Sequence, residues 1–321
     1  MQHNKRHFVY YLLAIAAFLL LVWVSLFTGV KDIAIGELFQ DNEKLFVFVI
    51  SRIPRTLALV LTGAGLSVAG FVMQQLSQNK FVSPTTTGAL SAAKMGVLFA
   101  MIFIPGAPLL SKMIFATVFT FLSSTVFMLF VGQIRERSAI IIPLVGIMFG
   151  NIIEAVSTFF AYKNNIVQST QEWLLGDFSS VMQGQYEAIY LILPVVLFIY
   201  FYAERFTIAG MGDSFARNLG LSYAVIVNIG LLLIALVVSA SVVTVGAIPF
   251  LGLVIPNIIS LLAGDNLRRT LPYTAFFGAA FLLVCDILGR ILIFPYEIPI
   301  GMMVGIIGGI IFLVLIIKKN R

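Results

Sequence analysis

"SRIPRTLALVLTGAGLSVAGFVMQQ", residues 51–75, sets the class of this chain. After Arg55 the run is uncharged down to its closing glutamines, and about 20 such residues cross the hydrocarbon core of a bilayer as a helix rising about 1.5 Å per residue. Blocks of the same kind recur near 8–30, 46–76, 88–104, 109–132, 138–161, 186–203, 223–243, 247–262, 270–293 and 299–318, which makes ten candidate spans. The block at 247–262 is short and holds Pro249 and Pro256, so a bent or partly embedded element is expected there. Lipid offers no partner to backbone N–H and C=O groups, which leaves helices or a closed barrel. A barrel shows short alternating segments, and these blocks are continuous.

Composition agrees. Of 321 residues 60% are hydrophobic and only 11% charged, with 29 Phe and 26 Gly, and the mean hydropathy is +1.05. A soluble domain needs far more charged surface. The expected fold is therefore all-α: a polytopic membrane protein of about ten transmembrane helices, one domain over 1–321, embedded from about 8 to 318. "MQHNKRH" and the apolar run after it read as a retained first span, because the run is long and lacks a small-residue cleavage pattern. Cys285, the single cysteine, lies in an apolar run and reads as a packed small residue.

Charge sorts the loops. An even number of spans puts both ends on one side, and that side receives Lys5, Arg6, Lys80, Arg135, Arg137, Arg205, Arg217, Arg268, Arg269, Lys318, Lys319 and Arg321. Cytoplasmic loops carry such an excess, so both termini are expected in the cytoplasm. The net charge of +6 then reflects topology rather than nucleic-acid binding. The opposite side receives the more acidic loops, among them "YKNNIVQSTQEWLLGDFSSVMQGQYE", in which 170–182 is amphipathic enough for a short helix on the outer face.

Within the spans Lys94, Glu154 and Asp286 require a reason, since a charge at mid-bilayer depth costs at least about 2.5–3.5 kcal/mol. Asp286 reads as a structural hydrogen-bonding group in preference to a ligand. Lys94 either neutralises Glu154 or lines a cavity and favours an anionic cargo. The many small residues of the spans suit close helix packing. Arg52, Arg55 and Arg290 fall at the outer ends of their spans, against the charge trend, where long side chains can snorkel to headgroups. "GMGDSFARNLG", residues 210–220, has the form of a short helix between glycine turns, with Asp213 or Ser214 as N-cap and Gly220 as C-terminal cap. By itself it could be an ordinary solvated loop.

Several motifs in order resemble the FecCD-type permeases, the membrane half of ATP-binding-cassette importers for iron siderophores, haem and cobalamin. They are Arg52-Ile53-Pro54-Arg55; Gly63, Leu66, Gly70 and Gln74; Gly252 to Asn257; Leu282, Leu283, Asp286 and Arg290; and Glu297 to Gly301. Departures stand beside them: "NKFVSPTTTG" at 79–88, "GAIPFLG" at 246–252, and Asn257 where the family has histidine. The resemblance implies a cobalamin-permease-like fold in a bacterial cell membrane. It also implies two cytosolic ATP-binding subunits, a second permease subunit and an external substrate-binding protein. It makes Asp213, Phe215, Ala216, Arg217, Leu219 and Gly220 the contact with the ATPase, and Arg52, Arg55 and Arg290 the docking charges for the binding protein. Lys94, Glu154, Thr85 and Thr86 become candidates for the pathway, since "SPTTTG" lies near it. No cofactor or metal is expected in this chain, ATP and magnesium belonging to the partner ATPase, and no catalytic residue. A ferric siderophore is the favoured cargo over haem or cobalamin.

Two other classes compete. An ion-coupled secondary transporter would share the many spans and glycine-broken helices. An embedded enzyme is disfavoured, because His3 and His7 are the only histidines, no His/Cys/Asp/Glu cluster has metal spacing, and no Walker A sequence occurs.

Overall fold

The computed structural model describes residues 2–29, 36, 41–134, 138–172 and 175–319. Arg135, Arg137, Arg321, Trp173, Leu174 and most of the loop at 30–40 lie outside them. The described residues are helical with no strand. In chain order the α-helices are α1 Gln2–Phe27, α2 Asn42–Val47, α3 Ile53–Leu76, α4 Ala89–Phe103, α5 Leu109–Gln133, α6 Ile141–Lys163, α7 Val167–Glu172, α8 Ile192–Gly210, α9 Asp213–Asn218, α10 Tyr223–Val245, α11 Leu251–Ala263, α12 Leu267–Ile291 and α13 Ile300–Lys319. A π-turn at Phe48–Arg52 joins α2 to α3, and a 3-10 turn at Glu187–Leu191 leads into α8.

Among the described residues seven helices are long and apolar enough to cross a membrane, and three shorter apolar ones are Leu12–Phe27, Ala89–Phe103 and Leu251–Ala263. Together they correspond to the ten expected spans. The short ones have local causes. α4 starts only after the non-helical loop Ser77–Gly88, whose Val82, Ser83 and Thr87 are buried in protein. Irregular backbone at such depth is tolerated where protein, not lipid, surrounds it. α11 starts after the non-helical stretch Gly246–Pro249 and carries Pro256 inside, as its prolines imply.

α3 is the axis of the molecule. It packs against α8, α10, α11 and α12, while α4 joins α5, α6 and α10 in a neighbouring layer. Lipid tails are as apolar as leucine, so helices associate through close van der Waals packing and not through the expulsion of water. Small residues set that approach: a Cβ on Gly70 would meet the backbone of Gly252 on α11, and one on Gly63 the backbone of Gly278 and Ala279 on α12.

Contacts also sort the helix ends. Arg290 of α12 reaches the carbonyls of Ser25 and Thr28 at the end of α1, and the start of α13 packs on Leu175 and Ala247 through Gly301. Phe312, late in α13, lies instead against Phe81. The start of α1 and the end of α13 both lie away from the Arg290 end, at the end of the bundle that carries Lys80 and α9.

The segment expected to be helical at 170–182 differs. The helix is α7 at Val167–Glu172, and 175–185 forms turns. Its backbone is drawn into tertiary bonds: Asp177 N–H donates to the Val245 carbonyl (2.8 Å) and Gln183 N–H to that of Ile50 (3.0 Å). The Asp177 carboxylate accepts from Ser179 N–H (2.8 Å), closing a turn where a helix would need that group free. Phe178 and Val181 are buried beneath.

Candidate functional site

Three places hold the chemistry-bearing residues. The first is α9, between the left-handed backbones of Gly212 (φ 106°) and Gly220 (φ 73°). Its exit is a Schellman motif: Leu221 N–H donates to the Ala216 carbonyl (3.0 Å) and Gly220 N–H to that of Arg217 (2.9 Å). Its entry corrects the expected cap, for Gly212 is the N-cap with no side-chain bond, and Asp213 is the first helical residue. The Asp213 carboxylate accepts from Arg217 Nε at 2.8 Å instead, and that bond raises the Arg217 guanidinium above its ordinary value. Phe215 on α9 and Leu219 at its C-cap are 44% and 55% exposed, two large apolar side chains held outward on so short an element. Ala216 is fully buried against its own chain and anchors α9.

Around α9 a polar cluster closes the same end. Lys80 Nζ donates to Asp265 Oδ2 and to Ser260 Oγ, both at 2.8 Å. Asn257 Nδ2 donates to the Lys80 carbonyl (2.8 Å), a task that explains the amide at this position. These bonds tie the loop Ser77–Gly88 to α11. A cleft of about 400 Å³ opens beside α9, lined among others by Gln74, Gln78, Thr207 and Met211. Asp265 was not singled out from sequence, although an acid inside the basic stretch "GDNLRR" was a usable signal.

The second place is the opposite end. Arg55 donates to Asp286 Oδ1 through Nη2 (2.7 Å) and Nε (3.2 Å), and its Nη1 lies 2.8 Å from Glu297 Oε2. Arg290 pairs with the other oxygen of Asp286 and donates to the carbonyls of Ser25 (3.0 Å) and Thr28 (2.7 Å) and to Ser25 Oγ (3.0 Å). Arg52 donates to the Leu26 carbonyl (3.1 Å). Two arginines and two carboxylates thus balance in a nearly closed site: the side chains of Asp286 and Arg290 are 2% and 4% exposed, and that of Arg55 14%. Asp286 is structural, as its sequence context indicates. The arginines differ from expectation. Arg52 and Arg290 are buried, with terminal nitrogens of each held by carbonyls at the end of α1 or just after it, because a cation in this setting is held by whatever carbonyls and carboxylates surround it. Of the three, Arg55 has the most open side chain. Glu297, Ser25 and Thr28 complete the cluster and were not assigned a role from sequence.

The third place lies at mid-depth. Lys94 of α4 and Glu154 of α6 come together, Nζ to Oε2 4.0 Å. Thr85 and Thr86 are engaged locally: Thr85 Oγ1 bonds Ser83 Oγ (2.7 Å), and Thr86 Oγ1 accepts from Ser83 N–H (2.8 Å). Their hydroxyls therefore shape the loop that leads into α4. Among the described residues no group of three or more His, Cys, Asp or Glu could hold a metal ion.

The chain has relatives of known kind. The model of the FecCD transport family matches residues 17–318. The petrobactin import system permease protein YclN of Bacillus subtilis is 48% identical over 306 residues, covering 94% of this chain and 96% of that one. The ferric-anguibactin transport system permease protein FatD of Vibrio anguillarum is 45% identical over 308 residues, 96% and 98% of the two chains. The vitamin B12 import system permease protein BtuC of Shigella boydii is 31% identical over 324 residues. A solved inward-facing transporter described as an ABC transporter of metal-chelate type superposes with a TM-score of 0.79 at 25% identity, over 95% of this chain and 97% of that one. Ten apolar helices among the described residues with α3 at their centre, a short exposed helix at one end, a buried ionic cluster at the other and likeness along nearly the whole length converge: the chain belongs to the FecCD transport family and is a membrane permease of that family.

Proposed function

We propose that this permease carries a ferric siderophore inward across a bacterial cell membrane, in an importer of two permease chains and two cytosolic ATPase subunits, after delivery by an external binding protein. The cargo rests on the relatives: identity is 48% and 45% to permeases named for siderophores and 31% to one named for vitamin B12. The coupling to ATP rests on one observation of geometry. α9 is a helix too short to be stable alone, locked by two glycine turns and a buried alanine, and it holds Phe215 and Leu219 out toward a partner. Phe215, Arg217 and Leu219 form its outer face, while Ala216 and Gly220 fix its angle. ATP and magnesium bind in the ATPase, and this chain supplies no catalytic group. The α9 end, where α1 starts and α13 finishes, is the cytoplasmic one.

Inserting two residues after Gly212 tests this reading. The variant is expected to insert normally, to lose its ATPase partners on purification, and to lose uptake of radio-iron-labelled petrobactin in reconstituted vesicles. Arg217→Glu, which breaks the bond to Asp213 and reverses the charge of the outer face, is expected to lower uptake while leaving expression intact. Full uptake in both variants would remove α9 from the coupling. Uptake of cobalamin without any ferric siderophore would overturn the cargo alone, and uptake that survives ATP depletion would overturn the energy source.

A further inference from the structure

Lys94 and Glu154 are not explained by packing. Glu154 lies near the middle of α6, a span of 23 residues, and Asn151, Glu154, Thr158 and Tyr162 follow at three- and four-residue steps, so they share one face. Asn151, Thr158 and Tyr162 on that face are exposed, Tyr162 by 78%. The buried side of α6, with Gly146, Gly150, Ile153 and Ser157, adjoins this face, and Glu154, half-buried, stands at the border between the two. An amide and a carboxylate at this depth are too costly to turn toward lipid, so the face borders a polar space. Lys94 reaches the same edge from α4 with its side chain 17% exposed. Its ammonium has three donors, yet the nearest carboxylate oxygen stands at 4.0 Å, beyond hydrogen-bond reach, and no hydrogen bond to the described residues satisfies it. The pair is electrically balanced and geometrically loose. A tight buried pair such as Arg290 with Asp286, in the same molecule, shows what a purely structural bridge looks like here.

We propose that Lys94 and Glu154 form a charge-exchange station on the translocation route: Glu154 holds Lys94 between transport events, and a carboxylate or catecholate oxygen of an anionic metal chelate takes its place on the ammonium as cargo passes. No bond is made or broken, and Asn151 lies one turn of α6 away to donate to the same cargo. The inference rests on the siderophore reading and adds the sign of the charge that the route selects. Lys94 contributes a donor and a charge that strengthen together in a site of low dielectric, and Glu154 prevents an empty route from leaving a bare cation.

The test uses the whole importer with its binding protein in vesicles, with radio-iron-labelled petrobactin as probe. Lys94→Met is expected to lower maximal uptake by about tenfold or more, the scale of a lost hydrogen bond to a charged group. ATPase stimulation by the cargo-free binding protein, which reports assembly, should be unchanged. Lys94→Arg should retain most uptake, and the double variant Lys94→Met with Glu154→Gln should stay as low as the single one. A second readout needs no transport: Asn151→Cys should react with a membrane-impermeant thiol reagent and be protected by cargo, while Phe201→Cys, on the 83% exposed lipid-side position of α8, should not react. Recovery of uptake in the double variant, or uptake in Lys94→Met within twofold of the parent, would reduce the two residues to a structural pair. An unreactive Asn151→Cys would make the α6 face a dry contact with lipid or with a second copy and would end the proposal. Failure of the parent importer to take up petrobactin would instead strike the siderophore reading itself.

Discussion

Replacing Asp286 by alanine is expected to destabilise the permease by about 3–5 kcal/mol, the range for breaking a buried ion pair by removal of one partner. Asp286 is shared between Arg55 and Arg290, and its side chain is 2% exposed. Without it Arg290 keeps the carbonyls of Ser25 and Thr28 but no counter-charge, and Arg55 keeps only Glu297. Water does not reach the site freely, so the loss is not repaired by solvation. The check is the melting temperature in detergent, by loss of monodisperse protein on heating. Asp286→Asn, which retains an acceptor without the charge, should fall between the parent and alanine. The pair Asp286→Ala and Arg290→Ala should be non-additive, since each leaves the other's partner stranded. A cost under about 1 kcal/mol for Asp286→Ala would mean that the cluster behaves like a solvated surface bridge.

The second large effect belongs to Gly70. A methyl group there meets the carbonyl oxygen and Cα of Gly252, both backbone, so no rotamer change can make room and α3 must separate from α11. Gly70→Ala is expected to cost at the upper end of the range of about 1–3 kcal/mol seen for overpacking, despite alanine's better helix propensity. Gly132→Ala, near the end of α5 with nothing within 4 Å of the added Cβ, is the matched control and should be neutral or slightly stabilising. Equal melting temperatures for the two variants would show that the α3–α11 contact yields. The same approach sets the angle of α11 beside the loop Ser77–Gly88, so uptake should fall in Gly70→Ala even where folded protein survives.

The helices were legible because lipid is a simple solvent. A run that must satisfy its backbone internally and hide no charge can be read residue by residue, and the ten blocks predicted from hydropathy are the ten apolar helices found. α9 was legible for a similar reason. Gly210, Gly212 and Gly220 are local signals, and a left-handed residue at the C-terminal end of a helix needs only its own neighbours to be understood. The N-cap falls on Gly212 and not on Asp213 or Ser214, because the Asp213 carboxylate has two local choices, a backbone N–H or Arg217 one turn on, and it takes Arg217.

What sequence left undecided were the partners of long side chains. Arg52, Arg55 and Arg290 read as charges at an outer rim, yet the carbonyls of Ser25, Leu26 and Thr28 that hold two of them lie hundreds of residues from Arg290 and tens from Arg52 along the chain. Asn257 departs from the family histidine, and only the tertiary structure shows its amide holding the Lys80 carbonyl. Whether Lys94 met Glu154 depended on the packing of α4 against α6. Hydropathy and turn chemistry act over one to four residues and so are written in the chain itself. An ion pair acts through space between helices, and in a bundle that space exists only once the small residues of α3 have let the backbones of α11 and α12 approach.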